Sequence, residues 1–136
     1  TGAGGAFKQI LVDSEAGAAL AETLTATGMS PLLFGFAVAA IIRVAQGSAT
    51  VAMLTAAGIA APVVELAGLS PGGTALMVLA IASGATVLSH VNDSGFWLVS
   101  RYLGLSEAQT LRSWTVTATL VGLVGLATAL VLSLFV

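Results

Sequence analysis

Apolar residues fill this chain in long runs, and the places where the runs stop define its elements. Residues 7–27 mix Lys8, Asp13, Glu15 and Glu22 with Phe7, Ile10, Leu11, Leu20 and Leu24. That pattern predicts an amphipathic helix too charged to span a bilayer and suited to its interface. Ser30-Pro31 reads as a helix start, with Ser30 as cap and Pro31 in the first turn, where no N–H is needed. The apolar run over 31–46 covers roughly 24 Å, short of a hydrocarbon core of about 30 Å. It holds Arg43 near its far end and stops at Gly47-Ser48-Ala49-Thr50. A second short arm, 51–64, is expected to end at Pro62 and the loop 65–73. As a single helix, 31–64 would be roughly 51 Å long, too long for a bilayer. The pattern therefore predicts a re-entrant hairpin with its tip at 47–50, where irregular backbone is tolerated if it lines a cavity. A helix start capped by Ser48 or Thr50 would then lie at membrane depth and favour an anion.

Ser70-Pro71-Gly72-Gly73 opens the next apolar helix, expected over 73–88. It is interrupted by Ser89-His90-Val91-Asn92-Asp93-Ser94-Gly95, after which 96–102 completes the crossing as a half-helix. Ionisable groups at such depth are costly and point to function, and a discontinuous helix is a mark of secondary-transporter binding sites. The loop 104–113 contains Ser106-Glu107-Ala108-Gln109, a capping box for a short helix. Residues 114–136 then form an uninterrupted span. Trp97, Tyr102 and Trp114 are expected at the membrane interfaces. Arg101 and Arg112 flank the last loop, whereas 22–29 and 65–73 contain no Lys or Arg, so the positive-inside bias puts that loop in the cytoplasm. The predicted fold is all-α and integral to the membrane. Its units are a glycine-rich start and interfacial helix (1–29), the re-entrant hairpin (30–66), the discontinuous helix (67–103), and a cytoplasmic loop with a C-terminal span (104–136).

Composition agrees with a bilayer as solvent. Hydrophobic residues make up 57% and charged residues 7%, against about 25% charged in soluble domains, and the mean hydropathy is +1.06. A formal charge of −2 without a basic cluster excludes nucleic acid as a partner. The absence of cysteine removes disulfide and thiolate chemistry. The glycine-rich opening, 1–6, lacks the following Gly-Lys-Ser/Thr of a phosphate loop. No cofactor or metal is expected. The chain opens at Thr1 without a signal peptide and reads as the C-terminal part of a longer membrane protein.

The string Ser89-His90-Val91-Asn92-Asp93-Ser94-Gly95-Phe96-Trp97 strongly resembles the gluconate permease family of proton symporters. So do the opening Gly2-Ala3-Gly4-Gly5-Ala6-Phe7-Lys8-Gln9-Ile10-Leu11 and the stretch Gln46-Gly47-Ser48-Ala49-Thr50-Val51-Ala52. The resemblance runs through essentially the whole chain and implies its C-terminal portion only, the N-terminal half being absent. It implies an inner-membrane, multi-pass carrier of gluconate or a related small sugar acid, driven by protons. The wider ion-transporter superfamily is built from two inverted repeats, commonly in homodimers with an elevator-like movement. On that likeness 47–50 is a hairpin tip and 89–95 the matching helix break. Ala49 stands where related carriers place an amide residue.

Given that likeness, Gly47, Ser48, Thr50, Ser89, Asn92 and Ser94 are the expected substrate contacts. Their hydroxyl, amide and backbone donors suit the hydroxyls and carboxylate of a sugar acid. Asp93 and His90 are the proton candidates, the one through desolvation at depth and the other because imidazole titrates near neutrality. Their bland alternatives are capping of the half-helix and a hydrogen-bonded packing role. Arg43 is read either as a partner of the substrate carboxylate or as a partner of a protein carboxylate. Ser89 or Ser94 with His90 and Asp93 match a hydrolytic triad in name only, since neighbours in sequence rarely converge. Another hydroxy acid or D-serine as cargo is the alternative reading. So is a structural subunit packing through Gly122 and Gly125.

Overall fold

The computed structural model describes Asp13 and residues 28–136. The glycine-rich start and the amphipathic helix expected over 7–27 lie outside the described residues, apart from Asp13. Among the described residues the fold is entirely helical. Helix α1 spans Pro31–Gln46 and α2 spans Ala49–Leu66, joined by Gly47 and Ser48 alone. Gly47 ends α1 in the left-handed region (φ 79°), its N–H on Arg43 O at 2.7 Å, and Ser48 caps α2 by accepting from Val51 N. A single long helix is thereby excluded. The two arms fold back and share a core, with Phe34 and Ala39 of α1 against Ala52, Ala56, Ile59 and Val63 of α2.

Pro62 does not end the second arm, because α2 continues to Leu66. A proline inside a helix forfeits a hydrogen bond and costs about 3 kcal/mol. Burial of Ile59, Ala60 and Val63 on the shared core holds the helix across it.

Helix α3 (Pro71–Thr86) lies two residues earlier than the 73–88 expected, because Pro71 fits its first turn and Ser70 Oγ caps it, accepting from Gly73 N at 3.0 Å. It runs through the middle of the bundle, touching α1, α2 and the last helix. A Cβ on Gly84 would stand 2.2 Å from Phe36 O, so the backbones of α1 and α3 meet there without side chains between them. Gly122 makes a similar approach to Ser83 O. Gly84→Ala is expected to force α1 and α3 apart and to cost about 1–3 kcal/mol, the usual range for overpacking. Thermal unfolding of the detergent-solubilised protein would show it, and an unchanged midpoint would contradict the close approach.

Helix α4 (Ser94–Leu103) follows the break and ends at Gly104 in the left-handed region. Helix α5 (Glu107–Phe135) begins with the expected capping box of Ser106 and Gln109. The short helix and the final span expected separately are one helix, since no Gly or Pro separates them. They join through one widened π turn, Leu111–Thr115. Outward faces are as apolar as the core: Ile41, Val78, Leu120 and Val124 are all exposed. Helices α2 and α5 are long and apolar enough to cross a membrane, whereas α1 and α3 are shorter.

Candidate functional site

The turn between α1 and α2 abuts the break between α3 and α4. A Cβ on Gly47 would lie 2.3 Å from Asn92 O, which makes this a direct backbone contact between the two irregular segments. The break itself is held in a costly conformation: Leu88 adopts φ 49°, left-handed without being glycine, at about 1–2 kcal/mol. Two threonines of α5 clamp it. Leu88 N donates to Thr119 Oγ1 at 3.1 Å, and Thr115 Oγ1 donates to Ser89 O.

A chain of polar contacts crosses this junction. Asp93 caps α4, its Oδ1 accepting from Gly95 N at 3.0 Å. Its Oδ2 accepts from Arg43 Nη2 and from Ser89 Oγ. Arg43, 3% exposed, also donates through Nη1 to Gly47 O. Ser89 Oγ in turn accepts from Trp114 Nε1 at 2.8 Å. Trp114, Ser89, Asp93, Arg43 and Gly47 therefore tie α5, the break, α4, α1 and the turn into one network. Of the two partners open to Arg43, the protein carboxylate is the one it has. Its Nε is buried with no hydrogen-bond partner among the described residues.

Beside this network lies a cavity of about 410 Å³. Arg43, Ser48, Thr50, Ser89, Asp93 and Ser94 line it, six of the nine residues expected at the site. The starts of α2 and α4 both open on it, and a helix start favours an anion; one N–H of each is already taken, Val51 N by Ser48 Oγ and Gly95 N by Asp93 Oδ1. Gly47, His90 and Asn92 do not line the cavity. Gly47 and Asn92 make the contact behind it. His90 donates from Nε2 to Val44 O at 3.0 Å and accepts at Nδ1 from Asn92 N at 3.3 Å, which fastens the break to the end of α1.

Trp114 and Thr117 of α5 also line the cavity, and sequence reasoning missed both. Trp114 was expected at an interface, but the π turn carries its indole inward to Ser89. The available signal was the run Trp114-Thr115-Val116-Thr117-Ala118-Thr119, three hydroxyls in an otherwise apolar span.

A helical unit apolar inside and out, interrupted twice around one polar cavity, has the build of a membrane permease. The sequence comparison agrees: the model of the GntP family of permeases matches residues 1–135, and the chain belongs to that family. It is 46% identical over 99% of its length to the high-affinity gluconate transporter of Escherichia coli (strain K12). It is 50% identical over 91% to the low-affinity gluconate transporter, and 50% identical over 90% to the Gnt-II system L-idonate transporter, both of the same strain. The chain spans 27–30% of the length of these curated relatives. No solved structure matches it.

Proposed function

We propose that this chain is part of a proton-coupled symporter carrying gluconate or a related small sugar acid across the cell's inner (plasma) membrane. The observation that carries the reading is the cavity in which two helix starts, Arg43 and the hydroxyls of Ser48, Thr50, Ser89 and Ser94 converge. Its donors suit a carboxylate and its hydroxyls suit a polyol. The relatives named for gluconate and L-idonate transport support the same cargo class. In this reading α1 and α2 form a re-entrant hairpin with its tip at Gly47 and Ser48. The 101–112 loop is cytoplasmic, and a second inverted repeat and a homodimeric partner complete the carrier. Gly47, Asn92 and His90 hold the tip against the break, and Arg43, Ser48, Thr50, Ser89 and Ser94 touch the substrate.

Asp93 is the proton carrier in this scheme, and Arg43 is the reason its proton is coupled to substrate. Every contact to the Asp93 oxygens is a donor, which satisfies the carboxylate as an anion. An incoming substrate carboxylate competes for Arg43, and the Asp93 carboxylate so released takes up a proton. One buried cation cannot serve two buried carboxylates, because an unpaired charge at that depth is too costly.

Proteoliposomes containing the full-length permease are expected to accumulate radiolabelled gluconate when an inward proton gradient is imposed. Asp93→Asn is expected to abolish gradient-driven accumulation while keeping gluconate counterflow, since asparagine retains an oxygen to cap α4. No uptake of any sugar acid by folded wild type would sink the carrier reading, and normal accumulation by Asp93→Asn would remove Asp93 from the proton path.

A further inference from the structure

Most hydroxyls inside the helices of this bundle turn back onto the carbonyl one turn earlier. Thr74, Ser83, Thr86, Thr110, Ser113, Thr119 and Thr128 all bond the carbonyl four residues back, at 2.7–3.0 Å. That is the default for a hydroxyl in apolar surroundings. Thr117 departs from it. It lies within α5, two residues from Thr119, and makes no hydrogen bond to any described residue. Thr55 is also unpaired but is sealed in the core at 0% exposure, and Thr50 and Ser94 are unpaired in the first turns of α2 and α4, whereas Thr117 lines the cavity from within a helix.

Thr117 belongs to a coherent wall. Trp114, Thr117, Ala118 and Val121 are spaced i, i+3, i+4, i+7 on one face of α5, and all four line the cavity. The bond from Trp114 Nε1 to Ser89 Oγ fixes the indole and leaves its ring as an apolar surface. The cation and the two helix starts belong to other elements, α1, α2 and α4. The cavity thus has one wall for an anion and another that pairs an aromatic ring with an uncommitted hydroxyl. Its volume of about 410 Å³ falls within the roughly 300–1,000 Å³ of small-molecule sites.

We infer that Trp114 and Thr117 form the subsite for the hydroxylated tail of the transported acid, and that Thr117 sets selectivity for long polyhydroxy acids over short ones. This rests on the transport reading above. Thr117 then hydrogen-bonds a distal hydroxyl while the indole covers the carbon chain. A short hydroxy acid, held at the anion wall alone, gains nothing from either.

The test compares gluconate with D-glycerate in proteoliposomes of the full-length permease. Thr117→Val keeps the shape and removes the hydroxyl. The gluconate concentration giving half-maximal uptake is expected to rise about 5–10-fold, the worth of one hydrogen bond. Inhibition of uptake by glycerate should hold within about twofold. Thr117→Ser should restore gluconate affinity, and Thr117→Ala gives the same readout if the valine variant does not fold. An unchanged ratio of the two acids, or equal weakening of both, overturns the subsite. A valine variant that loses thermal stability but keeps its selectivity also overturns it, because Thr117 then packs on another part of the permease. Failure of wild type to take up gluconate removes the transport reading, and the subsite with it.

Discussion

Arg43→Met is expected to destabilise the permease by about 3–5 kcal/mol, the usual penalty for removing one partner of a buried ion pair. The Asp93 carboxylate would lose its cation while still capping α4 and still bonded to Ser89. Gly47 O would lose the guanidinium that holds the turn. Both partners are buried, with side-chain exposures of 4% and 12%, so little of the lost contact is open to bulk solvent. The double variant Arg43→Met/Asp93→Asn should regain most of the loss, because it removes both charges together and leaves a cap on α4. Thermal or denaturant unfolding of the four proteins gives the cycle directly. Uptake by the double variant is expected to stay absent even though its fold recovers, since neither the cation nor the proton site survives. If Arg43→Met is as stable as wild type, or the double variant no better than the single, the pair does not hold the turn to the break.

Gly47→Ala is expected to abolish uptake at little cost to the rest of the bundle. A methyl at this position would meet Asn92 O at 2.3 Å and the Asn92 carbonyl carbon and Cβ at 2.4 Å. Two of those three atoms are backbone, which cannot rotate aside. The left-handed φ of 79° adds about 1–2 kcal/mol for any residue with a Cβ. The turn must then lift off the break, separating Arg43 from Asp93 and opening the cavity. The cores formed by α1, α2, α3 and α5 do not involve Gly47 and should persist. Gly104→Ala is the control, since Gly104 is also left-handed (φ 63°) but has nothing within 4 Å of its absent Cβ. It should lose about 1 kcal/mol of stability and keep its uptake. Equal uptake by the two variants would mean that the contact between turn and break is dispensable.

Much of this architecture is legible in short stretches. Ser30-Pro31, Ser70-Pro71 and Ser106 with Gln109 announce helix starts within a few residues, and α1, α3 and α5 begin where they point. The polar segment after α3 stands out against the apolar runs around it. What those stretches could not announce are effects of packing. Pro62 signals a stop, yet burial of α2 carries the helix past it. Trp114 carries the composition of an interfacial anchor, yet one π turn delivers it to Ser89, 25 positions away.

The sequence by itself determined the class of solvent, the number and spacing of the helical interruptions, and the residue types available at each, because hydropathy, caps and helix breakers act over a few neighbouring residues. Only the tertiary structure decided that Arg43 meets Asp93, 50 positions on. It alone set the backbone of Gly47 on Asn92, left His90 outside the cavity, and brought Trp114 and Thr117 to its wall. Those pairings depend on close helix approaches such as Gly84 on Phe36. An ion pair across such a distance forms only after the backbones that carry it have come together.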